Sequence, residues 1–133
     1  MTKTNHYLTA LAVLVTLAAL TALTMVAAAG NAEAVTKART TLTIQAEGVD
    51  LSGQIKSTKL SCLGNRNVKV YKQIGAEQRP TTDPVIASDI SERQGNIGVW
   101  SNGNTGREGK FYARTRGTLE CTGATSTTLV TRR

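Results

Sequence analysis

An uncharged apolar run from Tyr7 to Ala29 divides this chain and limits what the rest can become. Leu, Ala, Val and Thr fill the run, Lys3 precedes it, and small residues end it. Ala27-Ala28-Ala29 and Ala32-Glu33-Ala34 both fit the small-x-small pattern that signal peptidase reads. The reading is a secretory signal over residues 1–34, carried on an apolar helix, followed by a single domain over residues 35–133. Cleavage after Ala34 and cleavage near Ala29 fit equally. An uncleaved anchor competes with both, because the run is long enough to cross a bilayer. The small residues at its end and its content of Ala and Thr favour cleavage. Lys37 and Arg39 beyond the run also oppose an anchor whose C-terminal part lies outside.

Export changes the meaning of the cysteines. The exported part holds two, Cys62 and Cys121, and an even count in an oxidising compartment reads as one disulfide. Closing a loop of roughly 60 residues contributes about 4 kcal/mol in the chain-entropy account, an upper figure. A domain of about 100 residues builds only a modest core, so such a staple matters.

Charge follows the same division. Only Lys3 and Glu33 among the charged residues precede Val35, so the exported part keeps the full net charge of +7. That balance suits anionic partners: cell-surface polymers, phospholipid headgroups or nucleic acid. Solubility is the plainer explanation. The basic residues are spread along the chain, with local pairs at Arg114/Arg116 and Arg132-Arg133.

The domain reads as all-β. Residues 40–46 alternate, with Leu42, Ile44 and Ala46 on one face. Residues 51–57 place Leu51 and Ile55 inward, and residues 67–72 place Val68 and Val70 inward with Lys69 and Tyr71 opposite. Further strands are expected at 85–89, 97–101, 110–114, 118–122 and 126–131, with an exposed loop over 75–84 and a turn over 92–96. Eight short strands separated by turn signals form a sandwich or small barrel. Ile86, Ile97, Val99, Phe111, Ala113, Leu119 and Val130 complete the expected inward set. Trp100 falls out of phase with Ile97 and Val99, so it caps one end or lies on an exposed face.

Several chemistries lack their residues. The only histidine, His6, lies in the signal segment, which leaves the domain no imidazole for Ser-His-Asp or Cys-His catalysis. Zinc loses most of its usual donors for the same reason, and no metal or cofactor is expected. Asp83, Asp89 and Glu92 are the carboxylates that a glycosidase pair or a calcium site would draw on. Solvated turn acids explain them more simply. Gly103, Gly106 and Gly109 suit hairpin turns, since no Gly-Lys-Ser/Thr sequence accompanies them. For binding, Trp100, Tyr112, Arg114 and Arg116 are the candidates, with Tyr71, Lys69 and Lys72 alongside. An exposed Trp100–Tyr112 patch would suit a protein partner. Nucleic acid is not expected, because export takes the domain away from it.

Gly53-x-Ile55-x-Ser57, then Cys62, then Arg66-x-Val68-x-Val70-Tyr71 resembles the opening of prealbumin-like, or carboxypeptidase-regulatory-like, domains. Ser88-Asp89 followed by Gly95 and Trp100, and then Gly109-Lys-Phe-Tyr-Ala113, resembles later segments of the same family. The resemblance spans about residues 40–131 and implies a seven- to eight-stranded Greek-key β-sandwich. It implies little about activity, because that fold carries structural, adhesive and accessory modules. One transthyretin-like group hydrolyses a urate-derived lactone using histidines and a C-terminal Tyr-Arg-Gly-Ser. This chain ends Leu129-Val-Thr-Arg-Arg133, so that activity is not carried over. The interval from Asp89 to Gly95 is longer than the family pattern.

The resulting expectation is a secreted or envelope-associated, non-catalytic domain. Its partner is an extracellular anionic polymer or a protein, and membrane contact is through the signal segment alone. The alternatives are a small ligand- or cation-binding module, or a hydrolase using the loop carboxylates.

Overall fold

Alternation beyond residue 40 becomes strand pairing. The computed structural model describes residues 36–132, so the signal helix and the cleavage positions expected over residues 1–34 lie outside the described residues. Ten strands follow in chain order: β1 (Thr40–Leu42), β2 (Gln45–Glu47), β3 (Asp50–Ser57), β4 (Asn67–Lys72), β5 (Val85–Ile90), β6 (Glu92–Gln94), β7 (Ile97–Asn104), β8 (Gly109–Thr115), β9 (Ala124–Thr125) and β10 (Leu129–Thr131). The first sheet runs β1-β3-β7-β6, with β2 also paired to β3. The second runs β10-β8-β4-β5, with β9 also paired to β8. Every strand pairing in both is antiparallel.

Ten strands replace the expected eight: residues 40–46 break into β1 and β2, the expected turn over 92–96 holds β6, and the last edge breaks into β9 and β10, while residues 118–122 form no strand. Both interruptions fall on sheet edges, and both use a hydroxyl. Between β1 and β2, Thr43 donates its N–H to Gln54 O and accepts the Gln54 N–H on its own Oγ1, at 2.9 and 3.0 Å. Between β9 and β10, Ser126 donates its N–H to Ala113 O and accepts the Ala113 N–H on Oγ, both at 2.9 Å. The side-chain oxygen replaces a carbonyl in the ladder, so the edge bends without leaving a buried donor unpaired.

Leu42, Leu51, Ile55, Val68, Val70, Phe111 and Ala113 form the core as their alternation predicts, joined by Leu63 and Trp100. Three expectations fail. Strand β7 has the opposite phase, with Gly98 and Trp100 buried and Ile97 and Val99 half-buried. Space is the reason. A Cβ on Gly98 would lie 2.0 Å from Leu63 O, and one on Gly53 would meet the Trp100 ring at 2.7 Å. The indole therefore occupies the room that Gly53 leaves, at 2 % exposure, and the Leu63 carbonyl occupies the room beside Gly98. Leu119 is 87 % exposed, because residues 118–122 form a turn instead of a strand. Thr118 closes that turn, donating its N–H to Cys121 O and accepting the Cys121 N–H on Oγ1. Val130 stands opposite Lys110 on the outer face, while Thr131 is buried.

Cys62 and Cys121 are disulfide-bonded, with Cα atoms 5.7 Å apart. Neither lies in a strand. Cys62 ends a 3-10 turn (Leu60–Cys62) on the crossing from β3 to β4. Cys121 lies between β8 and β9 and pairs as an isolated bridge with Ala38. The bond ties two connections together, and both sulfur-bearing residues are buried.

Candidate anion-binding cleft

The outer face of the second sheet is not a bare surface. On it Tyr71 of β4 and Tyr112 of β8 face each other in register, their rings stacked with centroids 5.1 Å apart. The segment between β4 and β5, expected as an exposed loop, folds over these rings. Asp83 is its anchor. Its carboxylate accepts the Tyr112 hydroxyl at 2.9 Å, the Arg79 N–H at 2.7 Å and the Ile74 N–H at 3.2 Å. Gln78 adds two bonds to the β9–β10 connection, donating to Ser126 O and Thr128 Oγ1. The Arg79 amide, with the Ile74 amide and the Tyr112 hydroxyl, holds the Asp83 carboxyl below its ordinary pKa. Burial, reinforced by Asp83, pushes the Tyr112 phenol far above its own.

Beside this anchored loop lies a cleft of about 470 Å³. Its size falls within the range of small-ligand sites. Arg66, Lys69, Arg114 and Arg116 line it, together with Tyr71, and Pro80 and Thr81 form its loop side. No Asp or Glu is among the lining residues. The strand geometry explains the clustering. Lys69 and Arg114 are register partners on β4 and β8. Arg116 follows Arg114 by two residues, which returns it to the same side of the chain. Lys59 pairs with Glu120 at 2.9 Å, away from the cleft lining.

Arg66 is the unusual member. It is 4 % exposed, and its guanidinium donates to Cys62 O at 3.2 Å, Arg116 O at 2.7 Å and Thr122 O at 3.1 Å. Burial lowers its pKa, yet an arginine keeps its proton at neutral pH. The three bonds fix the 116–122 segment against β4 and so place Arg116. They satisfy donors but supply no negative charge, and a buried cation without a counter-charge draws an anion. Chemically, the cleft offers Arg forks and a Lys point charge to an oxyanion.

Of the expected binding residues, Arg114 and Arg116 come together here. Trp100 and Tyr112 do not form the expected exposed patch. Trp100 is buried in the core, because Gly53 leaves it space, and Tyr112 is covered by the loop that Asp83 anchors. The loop carboxylates are also apart in role. Asp83 is buried, Asp89 accepts the Ser101 N–H at 2.8 Å, and Glu92 is exposed on β6. Arg66 was missed as a cleft residue, although it shares the phase of Val68 and Val70 and so falls on an inward position. No protein-family model and no curated protein matches the chain.

Proposed function

We propose that residues 35–133 form a non-catalytic exported domain that binds an anionic partner outside the cell. The single observation behind this reading is a cleft lined by four cations and no carboxylate. The net charge of +7 brings anions toward the molecule, and the cleft gives them one place to bind. The disulfide and the apolar run of residues 7–29 support export. Among the described residues no helix is long and apolar enough to cross a membrane.

Two antiparallel sheets, with strands passing between them, support the further reading of a prealbumin-like Greek-key sandwich. On that reading the domain is an accessory or adhesive module. The loop carboxylate that a hydrolase would need first, Asp83, is engaged by three hydrogen bonds that hold the cleft's wall, which favours binding over hydrolysis.

Fractionation of a producing culture tests the proposal. The protein should remain on the cell envelope in low-salt buffer and be released by about 0.5 M salt, where surface attraction is screened within a few ångströms. Full recovery in the medium at low salt would count against it.

A further inference from the structure

We propose that the ligand of the cleft is a linear phosphodiester polymer that carries no bases, its successive phosphates held at Lys69/Arg114 and at Arg116; this rests on the reading of the cleft as the binding surface. Three observations lead to it. The first is the density of charge at one point. Lys69 and Arg114 are cross-strand partners, so their Cβ atoms lie about 5 Å apart, and Arg66 lines the same cleft. A planar carboxylate uses one Arg fork, whereas a phosphate presents several oxygens in different directions and accepts from more than one cation at once.

The second is the repeat. Arg116 follows Arg114 by two residues, just past the end of β8, which allows up to about 7 Å between them along the chain. That step suits the next phosphate on a chain whose phosphates are joined by a short polyol or sugar unit. The main-chain bond from Arg66 to Arg116 O holds this second position in place.

The third separates such a polymer from nucleic acid. Single-strand binding relies on aromatic faces against which bases stack. Tyr71 is 8 % exposed, Tyr112 is fully buried beneath the loop, and Trp100 is in the core. The cleft therefore offers charge and hydrogen bonds with no platform for a base. Its other polar lining, Asn67 and Thr118 among it, suits hydroxyl groups between phosphates.

Fluorescence anisotropy with labelled poly(glycerol phosphate), poly-L-glutamate and oligothymidylate, matched in charge, tests the inference. The full domain should bind poly(glycerol phosphate) at least about tenfold more tightly than either competitor. Arg114→Ala/Arg116→Ala should weaken that binding by at least about tenfold. Lys56→Ala/Arg107→Ala, which removes the same charge from exposed sites outside the cleft, should weaken it by about twofold or less. Arg114→Lys/Arg116→Lys keeps the charge but loses the forks and should fall between the two. Equal binding of poly-L-glutamate, lost in the same cleft variant, overturns the phosphodiester assignment and leaves the anionic cleft standing. Oligothymidylate binding as tightly as poly(glycerol phosphate) overturns the assignment in favour of nucleic acid. Binding that responds equally to both Ala pairs overturns the cleft reading as well.

Discussion

Gly53 and Gly98 control how closely the backbone approaches the core. A methyl group on Gly98 would meet the Leu63 carbonyl oxygen at 2.0 Å, and one on Gly53 would meet Thr43 O at the same distance. Both obstacles are backbone, so the strands must move. Gly98→Ala should destabilise the domain by about 3 kcal/mol or more, at or beyond the usual range for overpacking. Urea unfolding followed through Trp100, the only tryptophan, measures this. Tyr112 gives a second residue-scale outcome. Its phenol has a raised pKa in the folded state, so its share of stability is complete below the ordinary tyrosine value of about 10 and declines as pH rises above it. Stability should therefore fall above about pH 10, and Tyr112→Phe should flatten that fall. At neutral pH the same variant should lose about 1 kcal/mol with the bond to Asp83. An unchanged alkaline slope in the variant would show that Tyr112 is not its source.

At the scale of elements, the anchored loop and the disulfide do the organising. Asp83 has a depressed pKa in the folded state, so its contribution is present above the ordinary carboxyl value and is lost as pH falls through the lower one. Below about pH 4 the loop should loosen over Tyr71 and Tyr112. Hydrogen exchange at Ile74 and Arg79, whose amides the carboxylate accepts, should quicken there first. Cys62 is fully buried and Cys121 is 3 % exposed, so a thiol reductant should act slowly on the native domain and quickly in denaturant. The Cys62→Ala/Cys121→Ala pair should lose up to about 4 kcal/mol of stability, read from the shift in the urea midpoint. Alternation located the long strands because a half-buried strand displays its period in the sequence, and β4 spans the expected residues. It failed where glycine replaced a side chain. In β7 the inward positions are Gly98 and Trp100, so the apolar period of Ile97 and Val99 pointed to the wrong face. It failed again where hydroxyls stood in for backbone, since nothing in Thr43 or Ser126 alone marks an edge bend.

For the whole molecule, what matters is where a dispersed net charge becomes local. Basic residues spaced along the chain gave no sign of a cluster, apart from Arg114 and Arg116. The register of β4 with β8 brings Lys69 to Arg114, and the connection tied by the disulfide brings Arg66 to the carbonyl of Arg116. Such convergence depends on pairing between distant strands, which no local pattern records. The loop over the tyrosines was equally hidden, because its anchor is one buried carboxylate meeting a hydroxyl 29 residues away. On the proposed function, anions bind at this cleft instead of over the whole basic surface. Amide chemical-shift mapping by NMR during titration with tripolyphosphate tests it most directly. Saturable shifts should concentrate at Asn65–Tyr71 and Arg114–Thr118 and be abolished in Arg114→Ala/Arg116→Ala. Shifts of similar size at Lys56, Arg107 and the other basic positions, without saturation, would contradict it.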